Sequence, residues 1–149
     1  CVLGIPAGVG NPFFDSVESV LAHILFSVPA IKGLEFGSGF GIAEMLGSEA
    51  NDSYYYDGDQ IKTRTNHNGG ILGGITDGMP IIYKVAIKPP ASITKVQQTI
   101  NIEDKTAAEL SVEGRHDPII VPRAIPVLEA VTAIAILDLL LDSKFYKYD

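Results

Sequence analysis

The amino-acid sequence predicts one α+β domain. Three observations lead there. Apolar residues recur at helical spacing near both ends of the chain; segments rich in Ile, Val and Tyr, broken by glycine and proline, lie between them; and no solenoid-length repeat or low-complexity tract interrupts the 149 residues. A chain of this size buries roughly two thirds of its unfolded surface, enough for a core of its own. With 46% hydrophobic and 19% charged residues it sits in the globular range, which excludes disordered, collagen-like and disulfide-rich classes.

Asn11 followed by Pro12 predicts a helix start, because Asn accepts from orphan N–H groups and proline has no N–H to leave unpaired. The helix carries Phe13, Val17, Val20, Leu21, Ile24 and Leu25 at helical spacing and ends near Pro29. Ile31, Leu34 and Phe36, with breaks at Gly33, Gly37 and Gly39, predict a short strand entering a glycine-rich turn. A short helix follows over residues 40–46, stopped by Gly47. Residues 48–68, including Asn51, Asp52 and Tyr54-Tyr55-Tyr56, sustain neither period and read as a long loop, often a functional element in a compact domain. Residues 79–88 read as a strand that leaves the core at Pro89, and a second strand is expected around 95–102. The last and longest helix starts at Pro122 and is apolar almost all round through Leu128, Val131, Ile134, Ile136 and Leu140, which describes a core helix.

The net charge of −7 argues against a nucleic-acid binder, which carries a basic footprint. Cys1 is the only cysteine, so no intrachain disulfide forms and a cytoplasmic protein fits best. The most apolar stretch, 131–141, is interrupted by Asp138 and falls short of the roughly 20 residues of a spanning helix, so no membrane partner is expected. The chain opens on Cys1 with no signal peptide ahead of it and reads as cut from something longer.

Three segments carry chemistry. Asn66-His67-Asn68-Gly69-Gly70-Ile71-Leu72-Gly73-Gly74 sets two glycine pairs beside amides and an imidazole; its N–H groups suit an anion nest, against the alternative of a tight turn between strands. It is neither a dinucleotide fingerprint nor a P-loop. Lys88-Pro89-Pro90-Ala91-Ser92 puts a cation, rigid prolines and a hydroxyl at a strand exit, fit to hold a phosphate or simply to turn the chain. Gly114-Arg115-His116-Asp117-Pro118, with Pro122-Arg123, gathers charge beside the apolar helix, either as a site or as a salt-bridged loop. No spacing of His23, His67 and His116 suggests a metal site, and no activated-serine context is present.

Together these segments resemble the C-terminal half of chorismate synthase. The landmarks run in order: Ile5-Pro6-Ala7-Gly8-Val9-Gly10-Asn11-Pro12 with Phe14-Asp15, then Lys32-Gly33, Gly39-Phe40, Gly47-Ser48 and Asn51-Asp52, the double Gly-Gly loop, Lys88 to Ser92 with Ile93, Gln98-Thr99-Ile100, and Gly114 to Pro118 with Pro122-Arg123-Ala124. The resemblance covers the whole chain as one unit, 1–149, with an N-terminal half missing. It implies a β-α-β sandwich enzyme, a homotetramer, that eliminates phosphate and a ring proton from 5-enolpyruvylshikimate 3-phosphate with reduced FMN. Members with a flavin reductase activity also use NADPH. By the same resemblance, Pro29, Ala30, Gly73, Lys88, Pro89, Pro90, Ala91, Ser92 and Arg115 are expected at the flavin. Asp117 matches the acid near flavin N5, and Arg115 and Asn66 lie where flavin and substrate meet. The family's two catalytic histidines belong to the missing half, so His116 is not one of them, and Asn68 stands where a small residue is more usual. Competing readings are a non-catalytic flavin- or phosphate-binding module and an oligomerisation domain.

Overall fold

Ser16, not Asn11, caps the first helix. Asn11-Pro12 leads into a single 3-10 turn, Phe13–Asp15, after which the Ser16 hydroxyl accepts from the Ser19 N–H at 3.0 Å. The Val17 N–H is met from outside the helix by the Gly74 carbonyl at 3.0 Å. Hydrogen-bonding supply at the first turn, rather than the Asn-Pro pair, therefore sets the start.

The computed structural model describes residues 1–143, so the expected 1–149 unit is seen up to Ser143. In chain order the elements are α1 Val17–Ser27, β1 Ile31–Phe36, a 3-10 helix Gly39–Glu44, α2 Gly47–Ala50, β2 Tyr54–Asp57, β3 Gln60–Thr63, β4 Ile71–Leu72, β5 Ile75–Thr76, β6 Tyr83–Ile87, β7 Gln97–Asn101, β8 Thr106–Leu110 and α3 Val121–Asp142. The class is α+β, as expected. The strands form four antiparallel pairs, β1 with β6, β2 with β3, β4 with β5 and β7 with β8.

Several sequence expectations need correction. The loop expected over 48–68 holds α2 and the β2–β3 hairpin, whose two-residue turn is Gly58-Asp59 with Gly58 at φ 62°. A glycine-containing two-residue turn after a β-prone tyrosine run is a hairpin signal that outweighs the missing alternation. The helix expected over 40–46 is 3-10, and Gly47 opens α2 instead of stopping a helix, because the Glu49 carboxylate accepts from the Leu46 N–H at 2.9 Å. The strand near 95–102 is β7, but its partner β8 has the sequence Thr-Ala-Ala-Glu-Leu, whose composition does not favour strand. Pairing with β7 overrides that weak propensity.

The core is built from one face of each long helix and the strands beneath. α1 buries Val17, Leu21 and Leu25, a stripe at a spacing of four, and α3 buries Thr132, Ala135, Ile136 and Leu139 at helical spacing. These pack with Val9, Ile71 and Ile81. A 2.6 Å hydrogen bond between the Tyr83 and Thr132 hydroxyls ties β6 to α3. The expectation of a wholly buried α3 fails: Ile134 is 59% and Leu137 50% exposed. The apolar run is also longer than the 131–141 stretch suggested. By length and composition its 22 residues would suffice to cross a bilayer, and 22% of the most apolar window is buried, on the face that packs with α1.

Candidate functional site

Two of the three chemistry-bearing segments meet at one end of the β1–β6 ribbon. The Ala30 carbonyl accepts from the Lys88 N–H at 2.8 Å, continuing the register in which Ile31 faces Ile87. Pro89 and Pro90 then end the ladder, since neither has an N–H to donate. Ala30 holds the corner between α1 and β1 at φ 71°, a left-handed conformation that a non-glycine residue adopts at a cost of about 1–2 kcal/mol. Across from the prolines lies the loop 111–118. The Ser111 hydroxyl donates to the Thr94 carbonyl at 2.8 Å, and His116 Nε2 bonds the Val112 carbonyl at 2.8 Å, so His116 braces the loop. Between the two segments is a cleft of about 480 Å³ lined by Pro89, Pro90, Thr94, Gly114, His116 and Asp117.

The polar groups around this cleft are open to solvent. Asp117 is held by the Arg123 guanidinium at 2.7 and 3.2 Å, a two-contact pair whose exposure limits it to the usual 0–1 kcal/mol of a surface ion pair. The Lys88, Ser92 and Arg115 side chains are exposed and make no hydrogen bond or ion pair among the described residues. An ammonium, a hydroxyl and a guanidinium on the segments that border one cleft suit an anionic ligand.

The third segment is elsewhere. The Asn66 amide donates to the Pro80 carbonyl at 2.8 Å, and the Gly37 N–H reaches the Ile82 carbonyl at 2.9 Å, placing residues 66–69 at the end of the ribbon away from Lys88. At about 3.3 Å per residue, the two ends are roughly 20 Å apart. Asn66 therefore does not join Arg115 and Asp117 within this chain. Gly73-Gly74 forms the two-residue turn between β4 and β5, with φ of 63° and 86°, and Gly74 meets the start of α1. Pro29 and Ala30 follow the other end of that 11-residue helix, roughly 16 Å away. For Gly73-Gly74 the turn-between-strands geometry is what is seen.

Around Asn66 the structure assembles groups, Asp52, Thr65 and Ser38 among them, to which the sequence assigned no role. Asp52, 6% exposed, accepts from the Thr65 hydroxyl at 2.7 Å, from the N–H groups of His67 and Asn68 at 2.8 Å each, and from the Asn68 amide at 2.9 Å. Burial alone would raise its pKa, but these hydrogen bonds outweigh it and hold the carboxyl below its ordinary value. His67 is fixed twice by Ser38, whose N–H donates to its carbonyl at 2.9 Å and whose hydroxyl lies 2.8 Å from its Nδ1. At Gly37, φ 54°, an added Cβ would run into the His67 carbonyl, so only glycine lets the end of β1 approach this loop. The available signal was Asn51-Asp52, a short acidic landmark one hairpin ahead of the glycine loop. Nothing in its spacing says that the hairpin folds back.

The family model described as chorismate synthase matches residues 1–141. A chorismate synthase of Methanococcus aeolicus is 54% identical over 144 residues, covering 96% of this chain and 39% of its own length. That of Lachnoclostridium phytofermentans is 52% identical over 152 residues, covering 100% of this chain and 41% of its own. A crystal structure of chorismate synthase superposes with a TM-score of 0.73 at 31% identity, over 94% of this chain and 35% of that one. The chain thus spans about two fifths of the length of the curated relatives it matches. It carries their landmark segments on their fold, and it belongs to the chorismate synthase family.

Proposed function

We propose that this chain is the C-terminal part of an enzyme that converts 5-enolpyruvylshikimate 3-phosphate to chorismate by trans-1,4-elimination of phosphate, as a lyase of the shikimate pathway. The observation that carries this reading, beyond family membership, is the cleft where Pro89 and Pro90 face Gly114, His116 and Asp117, with Lys88 and Arg115 next in the chain to its lining residues. A substrate with one phosphate and two carboxylates, beside the phosphate of FMN, needs local cations in a chain of net charge −7. Lys88 and Arg115 supply them, and Ser92 adds a hydroxyl donor. Pro29, Ala30, Pro89, Pro90 and Ala91 offer apolar and rigid backbone surface for the ring system, and in this reading Gly73, in the turn at the start of α1, and Asn66, at the other end of the ribbon, also meet the ligands.

Reduced FMN, when bound, supplies transient electron density that helps the phosphate leave. With the flavin bound, Arg115 would orient anionic oxygens with its planar fork, and Asp117, fixed at the cleft by Arg123, would accept or return a proton beside the ring. The complete enzyme is, in this reading, a cytoplasmic homotetramer with neither nucleic-acid nor membrane partners, using NADPH only where it reduces its own flavin. The test is an anaerobic assay of the complete protein with chemically reduced FMN, following phosphate release. Turnover is expected; a complete, folded protein that releases no phosphate from this substrate refutes the reading.

A further inference from the structure

Among the described residues, the Asp52 carboxylate serves one four-residue stretch and nothing else. Its two oxygens offer about four acceptor sites, and four donors from residues 65–68 fill them. Among the described residues no Lys, Arg or His side chain pairs with it. A buried carboxylate met only by neutral donors loses solvation without a compensating cation. What the arrangement achieves is geometric. The N–H groups of residues 67 and 68 are drawn onto one carboxylate, and the Thr65 hydroxyl is drawn to the same group.

Asn66 sits between two clamped neighbours and makes no bond to the clamp itself. Its amide nitrogen donates to the Pro80 carbonyl, which leaves Oδ1 buried with no partner in this structure. A buried acceptor left unmet is uncommon and calls for a donor. His67 is anchored at its N–H by Asp52 and at its carbonyl and Nδ1 by Ser38, so Nε2 is the nitrogen left available. Ser38, His67 and Asp52 do not form a nucleophilic triad. Asp52 bonds the main chain of His67 rather than its ring, and no carboxylate stands behind the imidazole to orient it as a base.

We propose that Asp52 is a positioning residue for the synthase reaction, pre-setting the 65–68 loop so that the Asn66 side chain and His67 Nε2 are held in place for the bound substrate. The proposal rests on the functional reading above. Asp52→Asn keeps the side chain's size but turns an NH₂ group toward donors on residues 67 and 68 or toward Thr65, so it breaks the clamp without opening a cavity. In the complete enzyme it is expected to lower kcat about 10²-fold, with substrate KM changed by less than about threefold, as for a misplaced rather than a missing binding group. Hydrogen exchange of the peptide spanning residues 64–69 is expected to speed up, with exchange elsewhere in the protein near parental. Asn68→Ala removes one side-chain donor and leaves both main-chain bonds, so it should retain near-parental kcat and protection.

Two results overturn the proposal: parental kcat in an Asp52→Asn enzyme whose 64–69 peptide exchanges fast, or a kcat loss that follows the unfolded fraction while exchange is unchanged. Should Asp52→Asn not fold, Asp52→Glu keeps the charge but carries both oxygens one methylene past the N–H groups of residues 67 and 68, and the same criteria apply. A parental enzyme that releases no phosphate sinks the functional reading and this proposal with it. The exchange measurement, which needs no substrate, separates that failure from the absence of a clamp.

Discussion

Arg115 and Asp117 stand one residue apart yet have different environments. Asp117 is paired with Arg123, whereas the Arg115 side chain is exposed and makes no hydrogen bond or ion pair among the described residues. Replacing Arg115 with lysine keeps the charge but loses the planar fork, so affinity for substrate and FMN in the complete enzyme is expected to fall clearly. Unchanged binding of both in a fluorescence titration would remove Arg115 from the site. Asp117→Ala is expected to lower turnover by about 10²–10⁴-fold with the fold intact, the usual contribution of an acid–base group. Parental turnover of the purified variant would show that the Asp117–Arg123 pair is only a surface ion pair. Asp52 carries a separate pH signature. Its folded-state pKa is lowered relative to the unfolded chain, so its stabilising contribution is fully present above the unfolded carboxyl pKa of about 3.9 and is lost as pH falls through the folded value. Urea melts of the parent and Asp52→Asn should therefore differ most near neutrality and converge in acid. A gap that widens in acid would mean the direction is wrong.

The elements hold these residues by borrowing from one another. α1 is capped by its own Ser16 and by the Gly74 carbonyl of a distant turn, and its far end delivers Ala30 to the Lys88 N–H. The site at the ribbon's end therefore depends on how α1 sits, and α1 sits on the Leu21–Leu25 stripe against α3. Leu21 is 0% exposed, so Leu21→Ala is expected to cost about 2–5 kcal/mol, with part of the penalty from the cavity left behind. Chemical denaturation measures this directly, and a loss below about 1 kcal/mol would mean that the site collapses freely or that α1 is not held by this contact. The β7–β8 hairpin contrasts with it, since Ile100 and Ile102 are 68% and 82% exposed. A two-stranded hairpin with little cover is marginal by itself.

On the scale of the whole molecule, the core is small for the apolar content. Phe14, Phe26, Ile134 and Leu137 lie open at 91%, 51%, 59% and 50%, and a groove of about 910 Å³ runs between α1 and α3. Exposed apolar area on this scale marks an interaction face. The 149-residue chain expressed alone is expected to fold, to bind a hydrophobic dye and self-associate, to bind FMN weakly or not at all, and to release no phosphate. An open cleft leaves charges in water, where electrostatic stabilisation is weak compared with a closed site. Turnover near that of the complete enzyme would show that the chemistry needs only this part.

What the sequence determined by itself is what rests on local chemistry. The helical period at both ends, a strand that stops ahead of Pro89, the strand beginning at Ile31 and the α+β class follow from spacing and breakers, although the strand expected over 79–88 is the shorter Tyr83–Ile87, and the family follows from ordered landmarks. Glycines 69, 70, 73 and 74 do adopt positive φ, as the loop's composition implied. Only the tertiary structure decided which segments share a site. The cleft between Pro89-Pro90 and Gly114 to Asp117 forms because a β ladder ends where a braced loop folds back, and both depend on contacts distant in sequence. The Asp52 clamp was invisible for the same reason: a carboxylate finds its donors through the path of the chain. The open face of α3 arises likewise, since an all-round apolar sequence records that every side is covered somewhere without naming the element that covers it.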